Sequence, residues 1–581
     1  METKKLLDEF PPVSTAAWED AIRVDLKGAD YARKLIWQTA EGLAVKPYYR
    51  AEDIATLDLP EADPNAAPHV ADPLAADGWR IREEIAAVEL GKANQEALEA
   101  VAAGAEEITF LNAAAGNASD LRLLLANLQT IPVHFEDAGE PVLALLSEWL
   151  RGRDTLRIST GWNPLENLNF AAELLRDAPP ALVPFTLDGA DFGERGANAV
   201  EEAGFTLAAG IEFLKEMEAR GVAIERAAKS LSFSFSIGGS YFFEIAKFRA
   251  FRMLWARAVE SFGGDASWPR AHIHARTSRW NETIYDPHVN VLRATTEAMS
   301  AVLGGADSLS VAPFDECYET PDGAARRLAR NTQIILKREA MLAQVADPAA
   351  GSYCIETITD FIAHKAWTLM QKIEQEGGYR KAAADGMLER ALVQSQAAKD
   401  KAVASRRRVL TGTNQYANPG EKALDRIQTS HASDVRRGAR EYERLRLRTE
   451  RSAAATGHLP QILLAEFGDA KMRTARSGFA ANFYACAGFA IATERFETAD
   501  KIAAGNADLI VLCSSDQEYL QLAKDVIEKL KARGSRTPVI VAGSPECTEQ
   551  LRAAGVADFI HVRSNPIDVL TAWQQRLGIK A

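Results

Sequence analysis

The sequence predicts an α/β protein in which a (β/α)8 TIM barrel is followed by a flavodoxin-like doubly wound domain, with an extended N-terminal arm. Strand-like and helix-like runs alternate from about residue 86 to residue 316, and a second alternation fills residues 460–581. This alternation is typical of parallel sheets covered by helices. The predicted divisions are an arm (1–85), the barrel (86–400), a helical linker (401–459) and the second α/β domain (460–581).

Seven strands are predicted in the barrel. Their runs are EITFLNA (107–113), IPVHFED (131–137), LRISTG (156–161), VPFTLDGA (183–190), LSFSFSIGG (231–239), RAHIHARTS (270–278) and ADSLSVAPFDE (306–316). Seven strands in one rhythm, with one missed, favour a closed barrel over an open sheet. The eighth strand is expected near AQVADPAAGSYCIET (343–357).

Polar side chains alternate along two of these strands. Ser232, Ser234 and Ser236 share one face of their strand, and His272 and His274 share one face of theirs. A filled parallel barrel normally carries Val, Ile or Leu at inward positions. Either these faces line a barrel axis that admits a ligand, or they point to the helix layer; the pattern alone favours neither.

The arm cannot form a core of its own. Residues 17–34 are helix-like, residues 35–50 predict two strands around Glu41 and Gly42, and a Pro/Ala/Asp-rich passage follows. Such a composition buries little apolar surface. The arm is therefore expected to pack on its own barrel or to wrap a partner subunit. The charged stretch 421–451 is interpreted as a solvated helix with i,i+4 ion pairs.

Five short strands predict the second domain, and they are QILLAEF (461–467), FAIATERF (489–496), DLIVLCSS (508–515), TPVIVAGS (537–544) and DFIHVRS (558–564). Flavodoxin-like sheets bind ligands at the carboxyl ends of their strands. The candidate loops there are GDAKMRT (468–474), SSDQEY (514–519) and AGSPEC (542–547).

Composition excludes several classes of function. The net charge of −13 argues against nucleic acid or an anionic membrane as the main partner. The five scattered cysteines predict neither disulfides nor a zinc site, and reduced thiols are typical of a cytoplasmic protein. No apolar run is long enough to span a membrane, and the first residues lack a signal core. His364 and Cys354 are interpreted as packing or surface residues rather than as catalytic groups.

Several longer runs resemble the methylmalonyl-CoA mutase family. They are VKPYYRAEDI (45–54), TSRWNETIYDPHVNVLRATTEAMSA (277–301), LSVAPFDE (309–316), LARNTQIILKREA (328–340), DPAAGSYCIETITDFIAHKAWTLMQKIEQEGG (347–378) and TGTNQYANP (411–419). The resemblance implies a barrel that takes a coenzyme A thioester along its axis, capped by a cobalamin-binding domain. It also implies the interconversion of methylmalonyl-CoA and succinyl-CoA with adenosylcobalamin.

The cofactor motif of that family is missing. Its enzymes hold cobalamin through Asp-x-His-x-x-Gly in the first loop of the C-terminal sheet, where the histidine ligates cobalt and the aspartate orients it. The corresponding loop here is GDAKMRTARSG (468–478), with Arg473 or Met472 at the place of the histidine. Arginine has no lone pair to donate to a metal. Glu466 stands where the family has a lysine.

Barrel residues of the family are replaced as well. Glu84 stands where catalytic relatives carry a tyrosine near the corrin, and Ala199 where they carry a histidine near the substrate carbonyl. The run His272-Ile273-His274 stands at their Arg-Thr-His. Histidine is a poorer clamp for phosphate or carboxylate than arginine.

These combined losses resemble the small subunit of heterodimeric members of the family. Such a chain is expected to be a non-catalytic twin that stabilises a large, catalytic alpha subunit, with adenosylcobalamin and thioester bound by that partner. No catalytic, cofactor-binding or metal-binding residue is expected in this chain. Two alternatives stay open: a self-sufficient acyl-CoA mutase with atypical cobalamin binding, and a stand-alone acyl-CoA-binding regulatory protein.

Overall fold

The computed structural model describes residues 12–55, 57, 78–153, 155–264, 270–428, 436–502 and 505–580. Residues 12–55 of the arm form α1 (Thr15–Asp25), α2 (Tyr31–Leu35), β1 (Trp37–Gln38), β2 (Ala44–Val45) and α3 (Ala51–Ile54). The predicted pair of strands is confirmed, since β1 and β2 pair antiparallel around the turn at Glu41 and Gly42. The helix predicted over 17–34 is two helices, because the chain turns at Lys27 and Gly28, both with positive φ.

A parallel barrel follows the arm. Its strand segments are β3 (Arg80–Ala86), β4 (Glu107–Leu111), β5 (Val133–Phe135), β6 (Ile158–Thr160), β7 (Leu182–Val183), β8 (Phe185–Asp188), β9 (Leu231–Ile237), β10 (Ile273–Thr277) and β11 (Ser308–Ser310). Pro184, which has no N–H to donate, separates β7 from β8. Because β7 pairs with β6 and β8 pairs with β9, the two segments serve as one strand and eight strands close the barrel.

The eighth strand was predicted in the wrong place. Residues 343–357 form the end of a 3-10 turn (Leu342–Gln344), a loop and the start of a helix, whereas the missing strand is β3 between β11 and β4. β3 therefore crosses the predicted boundary between arm and barrel at residue 85. Its alternate residues Arg80, Arg82 and Glu84 are charged and line the barrel axis, so the usual apolar signal of a buried strand is absent.

Helices surround the barrel and continue after it. Between the strands lie α4 (Leu90–Ala102), α5 (Ala118–Leu124), α6 (Glu140–Trp149), α7 (Leu168–Asp177), α8 (Gly189–Glu194), α9 (Ala199–Ala219), α10 (Ile224–Lys229), α11 (Tyr241–Ser261), α12 (Val289–Leu303) and, after β11, α13 (Gly323–Ile334). A π-helical turn (Ile335–Glu339) follows α13. The next helices are α14 (Tyr353–Gln375), α15 (Tyr379–Ala384) and α16 (Met387–Ala404), and α14 packs against α9 and α11.

The charged linker helix is α17 (Arg440–Thr456). It is not the solvated helix that the charge pattern predicted, since Glu443, Arg446 and Leu445 are buried. Glu443 accepts hydrogen bonds from the backbone N–H of Ile284 and from Arg437, at 2.9 and 2.7 Å. Glu443 is paired with Arg437, and Arg446 donates to the carbonyl oxygens of Asn418 and Glu421, so both buried charges have polar partners inside the fold.

The second domain has the predicted topology. Its strands are β12 (Gln461–Glu466), β13 (Ala490–Arg495), β14 (Leu509–Cys513), β15 (Val539–Ala542) and β16 (Asp558–Ile560), all parallel in the order β13-β12-β14-β15-β16. Its helices are α18 (Ala470–Ala485), α19 (Tyr519–Ala532), α20 (Thr548–Ala554) and α21 (Pro566–Arg576). Among the helices that the structure describes, none has the length and apolarity needed to cross a membrane.

Candidate functional site

A cavity of about 580 Å³ runs along the barrel axis. Ser232, Ser234, His272 and His274 line it, so of the two orientations that the pattern left open, these four residues have the one that faces the axis. Ser236 differs, because its hydroxyl and backbone N–H both contact Glu202 on α9. The polar strand pattern therefore marks an interior that remains open.

Ionisable side chains form the middle of this cavity. Arg82 is bound to Glu107 at 2.7 Å, and both residues are almost fully buried. Burial raises the pKa of Glu107, but the charges of Arg82 and Arg80 and the neighbouring imidazoles of His272 and His134 together outweigh burial and hold that pKa below its usual value. Burial, together with the charge of Arg82, lowers the pKa of His134 and of His274. The imidazoles are therefore neutral at pH 7.

The neutral imidazoles hydrogen-bond to neighbouring strands. His134 Nδ1 lies 2.8 Å from Ser159 Oγ and its Nε2 lies 3.0 Å from Glu136, while His274 Nδ1 lies 2.9 Å from Ser308 Oγ. Burial raises the pKa of Glu136, but the hydrogen bond with His134 and the charges of Arg82 and Arg276 together outweigh burial and lower that pKa to about 2. His272 Nδ1 is buried and has no partner among the described residues. The wall thus presents neutral donors and acceptors to whatever occupies the axis.

A clamp of charges stands at the carboxyl mouth of the barrel. Arg276 Nε donates to both oxygens of Glu84, at 2.9 and 3.2 Å, and its Nη2 donates to both oxygens of Glu316, at 2.8 and 2.9 Å. Arg279 also binds Glu316, at 2.8 Å. Glu84, at the family's tyrosine position, is therefore an ion-pair partner, and Arg276 is held by carboxylates of its own chain.

Asp188 lies at the same mouth and forms no ion pair among the described residues. It accepts a hydrogen bond from Ser234 Oγ and caps the short helix α8 through Asp191 N at 3.3 Å. Burial raises its pKa to about 6. Four basic residues, Arg80, Arg157, Lys229 and Arg270, line the opposite, amino mouth. The two mouths therefore differ in charge.

Behind the strands, Lys247 sits in a buried carboxylate pair. Its Nζ lies 2.7 Å from Glu202 and 2.6 Å from Glu244. Burial raises the pKa of Glu202 to about 7, against the opposing effect of Lys247. Ala199, at the family's histidine position, is packed in an apolar cluster with Phe243 and Ile245. That position therefore contributes no polar group to the axis.

The ligand-binding edge of the second sheet is covered by its own side chains. Glu518 accepts hydrogen bonds from Ser514 Oγ and Ser515 Oγ, at 2.7 and 2.6 Å, and lies so close to Gly468 that a β-carbon there would overlap it. Ser514 Oγ also donates to the carbonyl of Phe467 at 3.1 Å. These contacts join the loops after β12 and β14, the switch point of such a sheet.

The residues in the first loop do not fit the cofactor that the resemblance implies. Asp469 caps α18 through Met472 N at 2.8 Å, and Arg473 Nη1 donates to Gly468 O at 2.6 Å. No histidine occurs between His458 and His561 in the sequence. Glu466, at the family's lysine position, accepts from Ser477 Oγ. This loop therefore offers no cobalt ligand of the family's kind.

Other candidate positions are structural. The His364 side chain is 75% exposed and lies 3.2 Å from Asp360, as expected for a surface histidine. Cys354 is partly buried, and burial raises the pKa of its thiol, so its thiolate is disfavoured. In the described part of the chain, no cluster of three or more His, Cys, Asp or Glu side chains is arranged to hold a metal ion.

Sequence reasoning missed most of the cavity's charged residues. Arg82, Glu107, His134 and Arg276 were not singled out as lining residues, although they stand on strands at inward positions. One signal was available. Arg80, Arg82 and Glu84 alternate with Ile81, and His134 alternates with Val133 and Phe135, which is the period-two pattern of a strand with one polar face.

Comparisons with known proteins identify the family of this chain. The family sequence model described as Methylmalonyl-CoA mutase matches residues 164–479. The Methylmalonyl-CoA mutase small subunit of Porphyromonas gingivalis is 35% identical, with all of both chains covered, and that of Streptomyces virginiae is 32% identical over 99% of this chain and 98% of its own. The Methylmalonyl-CoA mutase of Escherichia coli is 30% identical over 73% of this chain and 67% of its own. This chain belongs to the methylmalonyl-CoA mutase family, and the relatives that match its full length are small subunits of that enzyme.

Proposed function

We propose that this chain is the non-catalytic small subunit of a heterodimeric, adenosylcobalamin-dependent methylmalonyl-CoA mutase. The large alpha subunit then binds the cofactor and the coenzyme A thioester and interconverts methylmalonyl-CoA and succinyl-CoA. The observation that carries the proposal is the edge of the second sheet, where Glu518, Ser514 and Ser515 close the switch point and no histidine is available. A subunit without a cobalt ligand needs a partner that has one.

The barrel supports the same proposal. The position of the family's tyrosine is Glu84, which is neutralised by Arg276, and the position of its histidine is Ala199. Both groups that catalytic relatives place beside the reacting atoms are therefore replaced. What remains is a scaffold whose interior charges are paired with one another.

The arm is the surface that we assign to the partner. Helix α1 has no buried residue, and Trp18 and Val24 on it are 44% and 76% exposed. The β1–β2 pair is different, since Val45 is buried in a cluster of its own chain and Trp37 packs edge-on against Phe243. A helix that exposes two large apolar side chains in this way fits a subunit interface.

The test is co-expression with a large subunit that carries Asp-x-His-x-x-Gly, followed by absorption spectra of the complex and of each chain. We expect the two chains to co-purify and the cobalamin spectrum to follow the large one. A cobalamin spectrum on this chain alone would overturn the proposal in favour of a self-sufficient mutase. We also expect the chain in the cytoplasmic fraction of the cells, because its five cysteines are unpaired and a reducing compartment keeps thiols free.

Introducing the missing histidine sharpens the cofactor argument. We expect Arg473→His to bind no cobalamin, because Asp469 caps its own helix and Glu518 still covers Gly468. The measurement is equilibrium dialysis with hydroxocobalamin, and Arg476→His, one turn further along α18, is the matched control. Tight binding by Arg473→His alone would show that the edge is open.

Removing the arm separates assembly from stability. Deleting residues 1–75 should weaken assembly with the large subunit more than it destabilises the isolated chain. Val24→Asp narrows the test to α1 and should reduce assembly while leaving the melting temperature unchanged. Val45→Ala is the control, because it truncates a side chain buried against the chain's own helices. Unchanged assembly in the Val24 variant would refute this role of α1.

The cavity favours a second candidate, a stand-alone acyl-CoA-binding protein. A polar channel of about 580 Å³ with a basic amino mouth has the shape and charge to accept a phosphorylated thioester. Calorimetry of the isolated chain with methylmalonyl-CoA tests this, and Ser234→Trp, which fills the axis, is the blocking variant. Tight binding that Ser234→Trp abolishes, without co-purification of a large subunit, would favour this candidate.

A further inference from the structure

Two cations, Arg408 and Lys399, lie over the ring of one tryptophan, Trp280, outside the barrel cavity. Arg408 lies 4.4 Å from the centre of the Trp280 ring, and Lys399 Nζ lies 5.8 Å from it. Trp280 is only 3% exposed, and both cations are partly buried. None of the three lines the barrel cavity. The cluster of Trp280, Lys399 and Arg408 is therefore separate from the barrel cavity.

Neither cation has an anionic partner. Among the described residues no carboxylate oxygen lies within ion-pair distance of either; Lys399 donates to Ala197 O at 2.8 Å, and Arg408 donates one bond, to Asn281 Oδ1 at 3.3 Å. Burial lowers the pKa of both, and the largest charge effect on Lys399 is repulsion by Arg408. Two like charges held together away from water cost free energy unless an anion joins them.

The nearby carboxylates are committed elsewhere. Glu244 binds Lys247 at 2.6 Å and accepts from Gly238 N at 3.1 Å. Glu297 accepts from Asn281 at 2.7 Å, and burial raises its pKa well above the usual value. Burial also raises the pKa of Glu41, on the turn between β1 and β2. Glu244 and Glu297 are thus engaged by other groups, burial disfavours the charged forms of Glu41 and Glu297, and among the described residues none of the three forms an ion pair with Lys399 or Arg408.

The amino terminus of the long helix α11 lies beside Arg408. Helix α11 has 21 residues, and its N-cap Ser240 makes no side-chain cap. A β-carbon built on the preceding Gly239 would lie 3.9 Å from Arg408 Nη2. The first N–H groups of a helix lack intrahelical acceptors and carry partial positive charge, which suits an oxyanion. Four of the five N–H donors of Arg408 are also unused by the described residues.

We propose that Lys399, Arg408 and the amino terminus of α11 bind a phosphate-type oxyanion, either inorganic phosphate or the phosphate of a small monoester. The two cations neutralise a dianion, and the guanidinium and the helix N–H groups hydrogen-bond its oxygens. This site is independent of the proposed role as a small subunit, since it needs neither the partner nor the barrel axis.

The test is calorimetric titration of the full chain, in buffer free of phosphate and sulfate, with inorganic phosphate and separately with glycerol phosphate. Saturable one-to-one binding is expected; tighter binding of the ester identifies an esterified ligand, and equal or weaker binding identifies the free ion. Arg408→Gln and Lys399→Gln should each weaken binding about tenfold or more. Arg407→Gln is the matched control, because Arg407 is exposed and adjacent, and it should change affinity less than twofold.

Two results would overturn the site. One is the absence of saturable binding to the unmodified chain at millimolar phosphate, which does not depend on any variant folding. The other is equal affinity in the Arg408→Gln and Arg407→Gln chains. If Arg408→Gln fails to fold, Arg408→Lys takes its place. Lysine keeps the positive charge but loses the planar guanidinium and its parallel donors, so binding should still weaken. Unchanged affinity in Arg408→Lys would also count against the site.

Discussion

The barrel axis and the ligand edge of the second sheet are the two places where these folds bind ligands, and in this chain they differ. The axis keeps a cavity of about 580 Å³, whose interior charges are held by partners such as Arg82 with Glu107. The edge of the second sheet has been covered by Glu518, Ser514 and Ser515. The barrel axis therefore has an open interior lined by paired charges, whereas side chains occupy the edge of the second sheet.

The difference follows from how each region is supported. A closed barrel of parallel strands encloses its axis whatever side chains point inward, provided that inward charges are paired. A switch point between two loops has no such frame, so a few hydroxyl and carboxylate side chains suffice to close it. The barrel therefore encloses a cavity, whereas the loops at the edge of the second sheet are joined by side-chain contacts.

The largest expected effect comes from breaking a charge pair inside the barrel. Arg82→Met leaves Glu107 buried without its partner and should cost about 3–5 kcal/mol of unfolding free energy. Urea denaturation followed through the barrel's transition measures it. Arg195→Met is the control, since Arg195 pairs with Asp191 and Glu389 on the surface and should cost less than about 1 kcal/mol. Equal costs would mean that the interior pair is not supporting the barrel.

The next largest effect is the pH dependence of the unfolding free energy that His274 gives to the barrel. Burial and Arg82 hold the pKa of His274 well below the 6.5 of an exposed histidine, so the unfolded chain binds a proton that the folded chain does not. Stability is then fully present above pH 6.5 and falls as pH decreases, by up to about 1.4 kcal/mol per pH unit for this residue. His274→Asn should flatten that dependence.

Other groups titrate in the same range, so the comparison must be between variants. Asp188, with its pKa raised to about 6, and Glu202, raised to about 7, contribute with the opposite sign and lose stability as pH rises. Subtracting the His274→Asn curve from the unmodified one cancels them. A difference that stays constant between pH 7 and pH 5 would show that His274 does not titrate as its surroundings require.

The smallest effect is expected at the edge of the second sheet. Glu518→Ala removes the acceptor of two serine hydroxyls. Ser515 is partly exposed, and the buried Ser514 keeps the carbonyl of Phe467 as an acceptor, so the cost should be about 1 kcal/mol. Asp525→Ala on the outer face of α19 is the control, and the reading is the thermal transition of the second domain. A cost as large as that of Arg82→Met would mean that the edge, like the barrel, depends on buried charge.

Much of the fold could be predicted from the sequence. Seven barrel strands, the β1–β2 pair and all five strands of the second sheet follow from alternation of strand-like and helix-like runs, because each has apolar residues at the period of its element. Strand β3 escaped prediction because its inward residues are charged, and α17 was taken for a solvated helix because its buried charges look like surface charges in one dimension. Both errors concern charged residues whose partners are set only by folding, such as Glu84 with Arg276 and Glu443 with Arg437.

What the sequence determined by itself is the family, the architecture and the missing cobalt ligand, since these depend on which residues are present and in what order. Only the tertiary structure decided that the serine and histidine faces point to the axis, that Arg276 is clamped by Glu84 and Glu316, and that Glu518 covers Gly468. The reason is physical. Whether a charged side chain opens a site or closes it depends on the distance to its counter-charge, and that distance exists only in the folded chain.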